Sequence, residues 1–110
     1  AHPYRKNNRG MEDLIRTDIH LDGIEGLNGS TPQELNLKAC DGAFCRNLPI
    51  FGGSDAHRLD RVGKYATKFP KRIFSMEELV EAIKAGGTKP VYYERGVYRE
   101  FQCKALVDVI

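Results

Sequence analysis

Thr31-Pro32-Gln33-Glu34 opens, and Pro49-Ile50-Phe51-Gly52-Gly53-Ser54-Asp55-Ala56-His57 closes, the stretch from which the fold is read. The first four residues place a capping threonine, a proline at the first helical position and a glutamate three after the cap. They predict a helix running to about Asn47, with Leu35, Cys40, Ala43 and Phe44 near one face. The closing run is short, apolar and ended by glycines, the pattern of a buried strand. Working outward, residues 19–27 contain another apolar strand, and a further helix covers Met11 to about Arg16. Downstream, Arg72-Ile73-Phe74 reads as a third strand. Ser75-Met76-Glu77-Glu78 is a second capping box, opening a helix whose apolar side is Leu79, Val80 and Ile83. Gly86-Gly87 ends it, because glycine accepts the left-handed C-cap geometry. Pro90–Tyr93 and Val97–Phe101 flank Glu94-Arg95-Gly96 as a hairpin. Strands alternating with helices imply an α/β fold, in which parallel strands are covered by helices.

The chain of 110 residues holds one small domain, residues 1–110, with one core. Hydrophobic residues at 41% and charged residues at 29% are those of an ordinary globular protein, and no apolar run is long enough to span a bilayer. A net charge of +2 gives no reason to assign a nucleic-acid or membrane partner. Cys40, Cys45 and Cys103 form no Cys-x-x-Cys pair, so neither a zinc knuckle nor a redox motif is offered. Cys40 and Cys45 fall within the predicted helix as small buried groups, and a reducing cytoplasm is the expected setting. The chain begins Ala1-His2-Pro3 without methionine and reads as a segment of something longer.

Chemistry concentrates where the strand at Phe51 ends. If the extended geometry persists past Gly53, Asp55 and His57 lie on one face and point into one pocket. Carboxylate and imidazole together suit zinc, manganese or iron. The same residues also fit a capping aspartate followed by an incidental surface histidine. His2, before a strand-stopping Pro3, is a further possible ligand, or the scar of a purification tag. From Arg58 to Arg72 the chain holds Arg58, Arg61, Lys64, Lys68, Lys71 and Arg72 against the single acid Asp60. Such a run either holds a phosphate or is a solvated loop. As a nucleic-acid surface it lacks aromatic interleaving beyond Tyr65 and Phe69.

Taken in order, these pieces resemble the last portion of proteins of the PHP (polymerase and histidinol phosphatase) family. The resemblance rests on Ala1-His2-Pro3-Tyr4-Arg5, on Asp22-Gly23-Ile24-Glu25 through Asn28, on Gly53-Ser54-Asp55-Ala56-His57 with Val62-Gly63, and on the helix from Ser75 to Gly86. It covers His2 to about Pro90. It implies the C-terminal part of a distorted (β/α)7, TIM-like barrel, followed here by the β-hairpin. It implies His2, Asp55 and His57 as ligands of divalent metal ions (zinc, manganese or iron), with Asp55 and His57 catalytic. Arg5, Asn28 and Arg58 become substrate-binding residues, and Glu25 stays structural. The implied activity is metal-dependent hydrolysis of a phosphate ester, either a phosphorylated small molecule or a nucleotide end. The family's His-x-His and its other upstream ligands have no counterpart in this sequence, and His20 matches no motif position. The expectation is therefore weak metal binding and an inactive chain on its own. The alternative is a non-catalytic interaction module or subunit that completes its barrel with another chain. Either way a homo-oligomer is expected, because a partial barrel exposes faces and an edge.

Overall fold

The computed structural model describes residues 2–4 and 10–101. After a short 3-10 helix at Glu12–Arg16, the elements are β1 (Ile24–Asn28), α1 (Gln33–Cys45), β2 (Ile50–Gly53), a 3-10 turn at Leu59–Arg61, β3 (Tyr65–Lys68), α2 (Met76–Ala85), β4 (Lys89–Glu94) and β5 (Val97–Glu100). The class is mixed α/β. The strands form two sheets: β1 and β2 pair in parallel, and β3, β4 and β5 form an antiparallel sheet in that order.

The β1–α1–β2 unit follows from its sequence. Asn36, Ala39, Cys40 and Ala43 are buried, at the three- and four-residue spacing that puts side chains on one helical face. Those residues cover β1, whose Gly26 is required by the fit: a β-carbon there would lie 2.6 Å from Cys40 Sγ and 2.7 Å from Ile50 Cγ2. Tyr4, Ile15, Ile24, Ala39 and Ala43 form the core, with Met11, Leu21, Leu35, Leu48 and Ile50 packed against it. Cys45 is exposed, because it falls about 200° around the helix from Ala43. Phe44 is 42% exposed.

The predicted start of α1 differs in its cap. Pro32 holds the cap position without a side-chain bond, and the Thr31 hydroxyl instead donates to Asn28 Oδ1 at 3.1 Å. The capping box of α2 forms as predicted: Ser75 Oγ accepts from Glu78 N at 3.1 Å, and Gly86 closes the helix at φ 77°. The strand expected at Arg72–Phe74 is absent. There the Phe74 N–H donates to the Glu78 carboxylate at 2.6 Å, so it enters the helix cap and not a ladder. Tyr65–Lys68 is the strand instead, paired with β4 from Tyr65 opposite Tyr92 to Lys68 opposite Lys89. The hairpin turns through Arg95 and Gly96, both at positive φ, the geometry a two-residue turn between twisted strands requires.

The two sheets are joined by a side chain. Thr67 Oγ1 accepts from Gly52 N at 2.9 Å and donates to Gly52 O at 2.8 Å. Gly52 lacks the β-carbon that would collide with the Ala66 carbonyl.

Candidate functional site

Because β1 and β2 are parallel, their carboxyl ends open on the same side, and the loops that follow them meet there. Gly29 N donates to Gly53 O at 3.0 Å, and Ser30 Oγ donates to Asp55 O at 2.8 Å. Gly29 lies so close to the Ser54 carbonyl that any side chain would collide with it. From below, the loop is set by Asn36. Its Oδ1 accepts from Asn28 N at 3.0 Å, and its Nδ2 donates to Asn28 O at 3.2 Å and Gln33 Oε1 at 2.7 Å.

Asp55 and His57 come together differently from the extended arrangement expected. Asp55 has φ 47°, a left-handed conformation that aspartate tolerates better than most residues. The chain therefore turns immediately after β2, and His57 Nδ1 comes to 2.9 Å from the Asp55 carbonyl. A carbonyl only accepts, so Nδ1 carries the hydrogen and the lone pair of His57 lies on Nε2. Imidazoles held in this way by a backbone carbonyl have the tautomer that ligates metals through Nε2.

Gly29, Ser30, Ser54, His57, Arg58 and Arg61 line a polar cleft of about 300 Å³ between these loops. Arg58 reaches Asp60 at 3.1 Å on the exposed rim, where such a pair contributes little to stability. Among the described residues Arg61 has no ion-pair partner. Two guanidinium groups and the Ser54 hydroxyl supply this cleft with donors for an anionic group, whereas the Ser30 hydrogen is spent on Asp55 O and His57 Nε2 offers a lone pair.

The structure places the remaining predicted residues as follows. Asn28 is 2% exposed; its Oδ1 accepts from Ser30 N at 2.9 Å and from Thr31, and its Nδ2 donates to Glu25 at 3.1 Å, so its amide is spent on shaping the loop. His2 is 1% exposed and its Nδ1 accepts from Tyr4 N at 3.1 Å. Glu12 N donates to Pro3 O at 2.7 Å and Tyr4 Oη to Asp13 at 2.7 Å, fastening the turn of His2 to the first 3-10 helix. The Tyr4 bond, with Lys38 nearby, lowers the Asp13 carboxyl below its ordinary range, and burial raises the Tyr4 phenol. Arg5 lies outside the described residues. Among the described residues no three histidine, cysteine or acidic side chains are grouped to hold a metal ion. Arg61 was read as one of the basic run after His57 that could hold a phosphate; Ser30, Ser54 and Asn36 were not singled out as site residues, and of these three Asn36, a polar residue on the buried stripe of α1, carried the one visible signal.

A family model described as PHP-associated matches residues 33–88. The match runs from the first turn of α1 to the threonine before β4, and it includes β2, Asp55, His57 and both cleft arginines. No curated protein and no solved structure matches the chain.

Proposed function

Because the chain belongs to the PHP-associated family, we propose that it forms the carboxy-terminal part of a metal-dependent phosphoesterase and holds the phosphate of the substrate. The observation that carries this reading is the cleft at the carboxyl ends of β1 and β2, with Arg58 and Arg61 beside an imidazole of fixed tautomer. The parallel β1–α1–β2 unit supports placing the chain in the last part of a distorted (β/α)7 barrel, with the β4–β5 hairpin appended. The substrate is a phosphorylated small molecule or a nucleotide end.

The residues present fit part of a divalent metal site. His57 offers Nε2 and Asp55 a carboxylate, so both stand as metal ligands and as the catalytic pair. His2 joins them only after exchanging tautomers, because the Tyr4 N–H already faces its Nδ1. Other donors come from outside the described residues. When bound, such an ion supplies Lewis-acid chemistry toward a phosphoryl oxygen. The work of this chain is positional. Arg58 and Arg61 hold phosphate oxygens by charge-assisted hydrogen bonds, Ser54 adds a hydroxyl donor, Ser30 braces the loop through Asp55 O, and the turn at Asp55 fixes the imidazole. Arg5 is a further phosphate holder in this scheme.

Calorimetric titration with inorganic phosphate tests the reading. Binding should be measurable and should fall at least tenfold in Arg58→Ala combined with Arg61→Ala, the loss of two charge-assisted contacts. Binding that is absent, or indifferent to both arginines, would refute it. Manganese or zinc should bind no tighter than about micromolar, and more weakly in Asp55→Ala and His57→Ala. The second reading, a subunit that completes itself against another chain in the cytoplasm, is supported by the exposure of Phe74 (78%) and Met76 (71%). No described helix is long and apolar enough to cross a membrane.

A further inference from the structure

At the other end of β2 from the cleft, four elements enclose a second cavity of about 300 Å³. Phe44 from α1, Leu48 and Ile50 around the start of β2, Pro90 from β4 and Phe101 after β5 supply apolar walls. Ile50 begins β2, and Ser54 and His57 follow its far end, so the strand separates this cavity from the cleft arginines. Lys89 and Glu100 line the same cavity. Lys89 Nζ and Glu100 Oε1 stand 3.8 Å apart, and both side chains are about half exposed. That separation exceeds a charge-assisted hydrogen bond, so the ammonium and the carboxylate each keep capacity for a further partner. The Thr88 hydroxyl is 6% exposed and donates to Ile50 O at 3.2 Å, which ties the start of β4 to the start of β2 in the cavity wall. Gly86 also lines the cavity, so α2 brings it a carbonyl end, the negative end of a helix. Diagonal pairing across β4 and β5 accounts for the contact between Lys89 and Glu100. It does not account for charges of both signs beside an apolar cavity built by α1, β2, β4 and β5.

We propose that this cavity binds a free α-amino acid with an apolar side chain, the side chain against Phe44 and Phe101, the carboxylate on Lys89 and the ammonium on Glu100. The site shares no residue with the phosphate cleft and stands without it. Charge complementarity selects this ligand class. A zwitterion meets both charges of the rim at once, whereas a carboxylic acid or an amine meets one and leaves the other beside an apolar wall. A polypeptide segment carries neither free group along its length. The volume is at the lower end for small-molecule sites and suits one ring or one branched chain. Aromatic walls favour a ring, through offset or edge-to-face contacts. Parting Lys89 from Glu100 costs little, because exposed pairs of this kind contribute little, and the ligand replaces one loose contact with two.

The test is calorimetric titration of the full chain with L-phenylalanine at constant ionic strength. A dissociation constant of about 1 mM or tighter is expected for a ligand of this size. Hydrocinnamate, which lacks the amine, and phenethylamine, which lacks the carboxylate, should each bind at least about fivefold more weakly, the worth of one partly exposed charge contact. Lys89→Gln should remove the advantage over phenethylamine, and Glu100→Gln the advantage over hydrocinnamate. Both side chains are exposed enough for the fold to tolerate the exchange. Inorganic phosphate should bind alongside the amino acid without displacing it. Displacement by phosphate would put the amino acid in the arginine cleft and overturn the proposal, as would equal affinity for all three compounds. No binding of L-phenylalanine below about 10 mM would also overturn it, whether the cavity is covered by residues 102–110, which lie outside the described residues, or by another chain. Absent phosphate binding with L-phenylalanine binding intact would refute the phosphate reading and leave this site standing.

Discussion

Asn36 controls the loop between β1 and α1 from inside the helix, and its loss should be felt at both levels. Asn36→Ala would leave the N–H and C=O of Asn28, both buried, without their side-chain partner. The expected cost is about 2 to 3 kcal/mol, readable in urea denaturation, together with weaker phosphate binding because Ser30 loses its support. A loss under about 0.5 kcal/mol would mean that the loop is held by other contacts. Tyr4 gives a second test, through pH. Its hydroxyl bond, first, and then Lys38 lower the Asp13 carboxyl below its ordinary value of 3.8. A depressed carboxylate stabilises the folded state above that ordinary value, and the contribution fades as pH falls through the lowered one. Tyr4→Phe should therefore be less stable than the parent at pH 6, and the gap should narrow below pH 3.8. A gap that stays constant down to pH 2 would rule out this linkage. The neighbourhood of Asp55, His57 and Arg58 was legible in the sequence because one short run holds all three. Ser30 was not legible as a partner, since it follows β1 and what brings it to the segment after β2 is the pairing of the two strands. The extended geometry expected through Asp55 failed for a local reason: the backbone turns left-handed there and the His57 ring closes on its carbonyl.

Among the elements, both helices, the strands at β1 and β2 and the β4–β5 hairpin were read correctly, and α2 was the most directly announced. Ser75 with Glu78, and Gly86 beyond, mark α2 by local hydrogen-bond chemistry that does not depend on the rest of the fold. Ser75→Ala should accordingly cost about 1 kcal/mol, with Ser75→Asp near neutral, measured by thermal melting. Equal losses in both variants would argue against the cap. β3 was missed for the opposite reason. Tyr65-Ala66-Thr67-Lys68 sits within a basic run and has no strand signal of its own; it becomes a strand by pairing with β4, which lies on the far side of α2. Arg72–Phe74 looked more strand-like, but the Phe74 N–H is taken by Glu78. The junction of the two sheets was equally illegible, because its hydrogen bonds come from side chains: the Thr67 hydroxyl serves both backbone groups of Gly52, and Thr88, just before β4, donates to Ile50 O at 3.2 Å. Thr67→Val keeps the side-chain shape and removes that hydroxyl. It should cost about 1 to 2 kcal/mol, while Thr67→Ser should recover most of the loss. If the valine variant proves as stable as the parent, the Thr67 hydroxyl adds nothing to the junction, and packing with the Thr88 bond holds it.

At the scale of the whole molecule, two exposed apolar patches among the described residues stand in surroundings of opposite charge. On α2, Met76 and Val80 lie one helical turn apart and form a shallow depression with Glu77 and Glu81. On the segment after β2, Leu59 is 94% exposed and Val62 is largely exposed, between Arg58 and Arg61. Apolar side chains this far into solvent favour association, and the opposite charges around them select which surfaces meet. The expected assembly therefore seats the acidic face of α2 on the basic segment of a second copy, reciprocally if a two-fold axis closes it. This differs from the contact that a partial barrel suggests, where an open strand edge would be the meeting point. The two arrangements respond oppositely to salt. A charge-matched contact should weaken between about 50 mM and about 500 mM salt, as screening shortens the reach of the charges. An apolar edge contact should hold or tighten. Sedimentation at tens of micromolar should show a dimer or higher species at low salt, lost in Glu77→Lys combined with Glu81→Lys. The basic segment also carries the cleft arginines, so inorganic phosphate should shift the chain toward monomer. A single monomeric species at low salt, unaffected by the charge reversal, would eliminate the contact altogether.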